Sequence, residues 1–249
     1  MSTLAVVSGA ATGIGRAVAA ALAAGGADVV MIGRRADRLA AAAAELNEAV
    51  GAARARPVTA DLTVPEDVER AAKDITSTGR TVDVLVNNAG GNFAPAAAGD
   101  LSGVRHDWLL NLGGNVLPTV LLTHALLPAL SRPGGRVVTI GSVAALRGSG
   151  SYGAAKAALH PWSTELAVRL APEGITVNVV APGYIQDTEF YGERMSQEFH
   201  AGRSRQAPAG RGGTVGEVAA TVAHLAGPDA GFITGQIIQI NGGAVTGRG

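Results

Sequence analysis

The chain opens with Leu4-Ala-Val-Val7, a short apolar run suited to a buried strand. It passes at once into Ser8-Gly-Ala-Ala-Thr-Gly-Ile-Gly15 and then into a helical pattern from Arg16 to Ala24. A strand, a glycine-rich turn and a helix start in that order constrain the fold more than any other stretch, because together they make a mononucleotide-binding βα unit. The glycines allow a tight turn and close backbone approach, and the helix N-terminus favours a pyrophosphate. Gly9, Gly13 and Gly15 are spaced G-x-x-x-G-x-G, not G-x-G-x-x-G.

Beyond this unit the alternation repeats. Apolar runs near residues 4, 29, 82, 137, 176 and 236 are separated by helical stretches, as expected for a doubly wound parallel sheet with helices on both faces. The predicted fold is therefore α/β, a Rossmann-like sheet in a single domain over residues 1–249, with no linker, repeat or composition break to divide it. The alanine-rich stretch Ala36 to Val50 is interrupted by Arg38, Glu45 and Glu48 and reads as a surface helix. Gln186 to Gly213 is the longest irregular-looking region.

The second informative feature is Ser151-Tyr-Gly-Ala-Ala-Lys-Ala-Ala-Leu159. In a helix, Tyr152 and Lys156 share a face at i and i+4. A cation beside a phenol stabilises the phenolate, lowering its pKa from about 10 toward the working range, so the pair can serve acid/base chemistry.

These features resemble the short-chain dehydrogenase/reductase family over essentially the whole chain. The resemblance rests on Ser8-Gly9 and the glycine turn, Asn87-Asn-Ala-Gly90, Ser142, Tyr152-x-x-x-Lys156, Pro182-Gly183 and Gly242-Gly243, in that order. The nearest-looking branch is that of the β-ketoacyl-carrier-protein reductases, through Thr139-Ile-Gly-Ser-Val143, Asn178-Val-Val-Ala-Pro-Gly183 and Ile233-Thr-Gly235.

The resemblance implies an oxidoreductase that interconverts a carbonyl and a secondary alcohol. Tyr152 would exchange a proton with the substrate oxygen, Lys156 would shift the tyrosine and bind the nicotinamide ribose, and Ser142 would hold the carbonyl oxygen. The fourth member of the implied tetrad is an asparagine, for which Asn111 and Asn115 are candidates. Counting from Trp108, Thr123 and Pro128 selects Asn115, and Pro118 would free the carbonyl of Gly114 beside it. Residues 186–213 fall where family members carry a substrate lid.

The implied cofactor site comprises Gly9, Thr12, Gly13, Ile14, Gly15, Asp61, Leu62, Asn88, Ala89, Gly90, Tyr152, Lys156, Pro182, Gly183, Ile185 and Thr188, with Arg34 and Arg35. The second strand, Asp28-Val-Val-Met-Ile32, ends in Gly33-Arg34-Arg35, which puts glycine where a carboxylate would bind ribose hydroxyls. With no carboxylate to repel a 2′-phosphate and Arg34 able to bind one, NADP(H) is preferred and NAD(H) is the alternative. Thr12 stands where strongly NADP-selective members carry a base.

Three departures from the family pattern bear on the pocket. Ser142 precedes Tyr152 by 10 residues, fewer than is common, so the intervening substrate loop is shorter. Pro182 and Thr188 enclose one residue more than usual, and Pro161 falls inside the helix that carries Lys156 and that normally helps form the dimer. A homotetramer or homodimer is expected.

Charge excludes some functions. With 20 basic and 20 acidic residues the net charge is zero, so there is no global footprint for nucleic acid. There is no cysteine, hence no disulfide or thiol catalysis, and the five histidines show no metal-ligand spacing. No signal or spanning run of 18 apolar residues is read, and a cytoplasmic protein acting on a small molecule is expected. Tyr184, Phe190, Tyr191 and Met195 are candidates for an apolar substrate wall, or for lid packing. Two other readings stay open: non-redox isomerisation, dehydration or cyclisation on the same fold, and a nucleotide-sensing binding protein.

Overall fold

A computed structural model describes residues 2–93, 99–186, 188–190 and 196–246. Seven parallel strands form one sheet: β1 (Leu4–Ser8), β2 (Asp28–Gly33), β3 (Ala55–Thr59), β4 (Val84–Asn87), β5 (Arg136–Ile140), β6 (Thr176–Pro182) and β7 (Ile237–Ile240). Their order is β3-β2-β1-β4-β5-β6-β7. The chain thus moves outward from β1 to β3 and returns to place β4 on the other side of β1. That reversal opens a crevice at the carboxyl ends of β1 and β4, where doubly wound sheets bind ligands.

Alternation along each strand divides the core. Ala5 and Val7 of β1 and Val29 and Met31 of β2 face one layer, while Leu4, Val6, Val30 and Ile32 face the other, the two-residue period of a strand buried on both sides. Helices α1 (Gly13–Ala24), α2 (Ala36–Val50) and α8 (Val215–Ala226) cover the first layer through Val18, Leu39 and Val222. The second is covered by α3 (Pro65–Thr76), α4 (Leu101–Leu126) and α6 (Gly150–Leu170), through Ile75, Leu122 and Leu166. All six side chains are essentially inaccessible, and full burial of such a residue stabilises the fold by about 1.5–3 kcal/mol.

Two short helices complete the set. α5 (Ala144–Arg147) lies between Ser142 and α6, and α7 (Gln197–Ser204) lies in the segment expected to be irregular. α7 begins where Ser196 accepts a hydrogen bond from the Phe199 amide, an N-cap the sequence already contains. The segment is tied at its base, where Gln186 N donates to Gly213 O at 2.9 Å and Gly213 N to Tyr184 O at 2.9 Å.

α4 and the turn after it, Leu101–Ala129, are long and apolar enough to cross a membrane by length and composition, with a mean hydropathy of 1.3. The helix nevertheless buries Asp107, Asn111, Asn115, Thr119 and Thr123, as befits a helix packed on a sheet beneath a polar site.

Candidate active site

The glycine turn is built by close approach. Gly9 has φ +64°, and a Cβ there would lie 2.8 Å from Asn88 Nδ2; a Cβ on Gly15 would lie 2.3 Å from Gly9 O. Asn88 Nδ2 donates to Ser8 O at 3.0 Å and Gly9 O at 3.1 Å, and Ser8 Oγ accepts from the Asn88 and Ala89 amides. The Asn88 side chain therefore ties the two strand ends together, leaving Asn88, Ala89 and Gly90 beside the crevice. Asn87 serves the core instead, donating to Thr123 Oγ1 at 2.8 Å.

A cavity of about 1210 Å³ runs along this edge of the sheet. Thr12, Gly13 and Ile14 line one end of it. Thr12 makes no side-chain capping bond and the first turn of α1 carries no acidic residue, so its amide donors and the positive end of the helix remain available to an anion. Thr188 stands opposite, 3.8 Å from where a Gly13 Cβ would be, and Pro182, Gly183 and Ile185 complete that wall.

Arg34, Arg35, Asp61 and Leu62 line the outer end. Arg34 Nη1 is 4.0 Å from Asp61 Oδ2. The Asp61 carboxyl is held below its ordinary range by hydrogen bonds from the Thr63 amide and hydroxyl, with a smaller contribution from Arg34. Arg35 donates to Glu189 at 3.2 Å. Three donor sets, the α1 amides, the two guanidinium groups and the backbone after β4, thus border one elongated trough; they fit a dinucleotide carrying an additional phosphate.

At the inner end, α6 brings Tyr152 and Lys156 to the cavity, and the loop after β5 brings Ser142. Lys156 is 4% exposed and donates to Ile140 O at 2.9 Å. Burial lowers its ammonium from the ordinary 10.5 to about 8, because a desolvated cation is disfavoured. Tyr152 is half-buried, its ring centroid 5.4 Å from that of Phe190. Gly90 leaves the gap where the remaining groups converge: a Cβ on it would be 2.6 Å from Asn115 Oδ1 and 3.2 Å from Lys156 Nζ.

The two candidate asparagines separate by their contacts. Asn115 Nδ2 donates to Gly91 O at 2.8 Å and to Asn111 O at 2.9 Å, while its Oδ1 accepts from Gly91 N at 3.1 Å. Asn111, one turn earlier, braces the loop after β4 by accepting from Phe93 N, and it donates to Ser151 Oγ. Gly15 and Asn115 sit behind the cavity wall and shape it, whereas every other expected site residue lines it.

Several site residues gave no decisive sequence signal. Glu189 bonds both Arg35 and Arg38, and Phe190 packs on Tyr152. Tyr184 is engaged with His200 of α7, which supports lid packing for that residue. Asp187, Tyr191 and Met195 lie outside the described residues. Beside Ser142 and Tyr152 a second cavity of about 850 Å³ opens between α5 and α7.

The chain is similar to known proteins over nearly its whole length. A family model described as enoyl-(acyl carrier protein) reductase matches residues 9–245. The chain is 38% identical over 247 residues to the 3-oxoacyl-[acyl-carrier-protein] reductase FabG of Escherichia coli (strain K12), covering 96% of each chain. Among solved structures it is similar to a short chain dehydrogenase from Burkholderia cenocepacia J2315 in complex with NADP, with a TM-score of 0.85, 35% identity and 97% of each chain covered. A second similar structure is the RhlG/NADP active-site complex of Pseudomonas aeruginosa, with a TM-score of 0.86 and 33% identity over 97% of this chain and 96% of that one.

Proposed function

The chain belongs to the short-chain dehydrogenase/reductase family, and from that premise we propose that it is an NADP(H)-dependent ketone reductase of the β-keto reductase type. The observation that carries this reading is the meeting of Tyr152, Lys156 and Ser142 at one end of a trough whose other end is bounded by Arg34 and Arg35. Two relatives of known structure were crystallised with NADP.

In this reading the α1 amides from Gly13 onward hold the pyrophosphate, Asp61 and Leu62 border the adenine, and Arg34 with Arg35 binds the 2′-phosphate. A bound nicotinamide supplies or accepts the hydride. Ser142 Oγ donates to the substrate carbonyl oxygen and favours the negative charge that develops there. The Tyr152 phenol transfers its proton to that oxygen, so the carbonyl becomes an alcohol and the phenol a phenolate. The Lys156 ammonium stabilises the phenolate, and with its pKa at about 8 it is charged at neutral pH. Asn115 holds the Gly91 backbone, and a water on the Gly114 carbonyl that Pro118 leaves without its helical donor would pass a proton from solvent through Lys156 to the phenolate. The segment 186–213 acts as a lid over the substrate within a single domain.

The protein assembles as a homodimer or homotetramer in this reading. Leu101, Val104, Trp108 and Leu112 fall on one stripe of α4 and are 36–88% exposed, a face suited to a second copy, and light scattering reads the mass directly.

The test of the reaction is consumption of NADPH against NADH with a panel of β-ketoesters, diketones and cyclic ketones, repeated with Tyr152→Phe. NADPH-dependent turnover that falls at least about 100-fold in the variant, with cofactor binding kept, is expected; unchanged turnover in Tyr152→Phe overturns the mechanism.

A further inference from the structure

The cavity between α5 and α7 begins at Ser142 and Tyr152 and is bordered farther out by Arg147 and Arg203. Neither arginine lines the cofactor trough. The shortened segment between Ser142 and Tyr152 winds directly into one helical turn, with Arg147 N donating to Val143 O at 3.0 Å. It ends at Gly148, with φ +78°. Shortening therefore sets Arg147, exposed and without an ion pair among the described residues, on the wall of the same cavity as Ser142 and Tyr152. Arg203 approaches from α7, its guanidinium 5.2 Å above the Phe199 ring, a contact that holds the charge in place.

The remaining polar wall does not oppose the sign. Gln206 offers a neutral amide, Asn241 spends its Nδ2 donors on Gln239 Oε1 and Val245 O, and Glu189 is the one carboxylate lining the cavity among the described residues. Its two oxygens already accept from Arg35 and Arg38. A site of about 850 Å³ bordered by two guanidinium groups and the Gln206 amide, with its one described carboxylate already held by Arg35 and Arg38, suits an anion better than an alkyl chain.

We propose that the substrate of this enzyme is a compact carbonyl compound carrying an anionic group, a carboxylate or a phosphate, held by Arg147 and Arg203 while its carbonyl lies against Ser142 and Tyr152. This deepens the reductase reading and rests on it for the position of the carbonyl. The anion site itself is a property of α5 and α7 and is measurable without turnover.

The experiment is calorimetric titration of matched pairs into the full chain, with and without NADP+: levulinate against levulinamide, acetoacetate against acetoacetamide, and dihydroxyacetone phosphate against dihydroxyacetone. At least one anion is expected to bind about tenfold or more tightly than its neutral twin, the scale of a charge-assisted hydrogen bond. The preference is expected to collapse in Arg147→Ala/Arg203→Ala, with the pair that shows it identifying the anion. Equal binding of twins, binding of none, or a preference that survives the double variant overturns the proposal. NADPH oxidation with the same compounds separates the two ideas: anion binding without turnover strikes the reductase reading alone, and turnover of neutral ketones without anion preference strikes the anion site alone.

Discussion

Arg38 Nη1 donates to Glu189 Oε1 at 2.7 Å across 151 residues of sequence, and Arg35 Nη2 reaches the other oxygen of the same carboxylate at 3.2 Å. The α2 start and the segment after β6 are thereby joined over the outer end of the cofactor trough. In the proposed NADP(H) site Arg35 is also one of the two cations for the 2′-phosphate, so Glu189 and that phosphate would compete for one guanidinium.

Glu189→Gln should therefore tighten NADPH binding by about threefold to fivefold and leave NADH nearly unchanged. The size is set by the worth of an exposed pair, up to about 1 kcal/mol, since Arg35 and Glu189 are 52% and 55% exposed. Fluorescence titration of both cofactors reads the effect. If NADPH binds more weakly in the variant, the carboxylate serves to fasten the lid, and competition is not its role.

Arg34→Ala tests the other cation. Its guanidinium stays 65% exposed, with Asp61 Oδ2 at the 4.0 Å limit of an ion pair, so little inside the protein depends on it. The dissociation constant for NADPH should rise about tenfold, the loss of a charge-assisted hydrogen bond, while that for NADH changes about twofold or less. Equal effects on both cofactors would show that Arg34 does not read the 2′-phosphate.

The contrast between these arginines and Arg147 shows what a sequence makes legible. The order of strands, the α2 bounds Ala36–Val50 and the β5 bounds Arg136–Ile140 follow from local periodicity, which is a property of neighbouring residues. The glycine turn and the Tyr152–Lys156 pair are equally local, so the trough and its inner end are legible too. α1 begins at Gly13 and not at Arg16, because Arg16 N already bonds Thr12 O at 3.2 Å; the glycines hide a turn that backbone hydrogen bonds define. Glu189, Phe190 and Arg203 gain their roles only from tertiary approach, Glu189 to residues more than 150 positions away. Counting along the chain selects Asn115 over Asn111, but the contacts that distinguish them, Gly91 N on Asn115 and Phe93 N on Asn111, come from the loop after β4 and are not visible in spacing.

Lys156 offers the sharpest link between the site and stability. It is a cation 4% exposed whose one hydrogen bond goes to Ile140 O at 2.9 Å, and burial lowers its pKa from 10.5 to about 8. Below pH 8 the lysine is charged in both the folded and unfolded states, and the fold bears the full cost of desolvating it. Between pH 8 and 10.5 the unfolded chain binds more protons than the folded one, so this cost is relieved as pH rises. Lys156→Met, similar in length and uncharged, should accordingly stabilise the cofactor-free protein most at and below neutral pH, by up to about 3 kcal/mol. The advantage should shrink steadily through the window from pH 8 to 10.5 while turnover is lost at every pH. Thermal unfolding of both proteins from about pH 6 to about pH 11 measures it. A stability difference that stays flat through that range would mean that Lys156 is not held in the fold as a desolvated cation, and its charge would then be too well solvated to shift Tyr152 by the mechanism proposed.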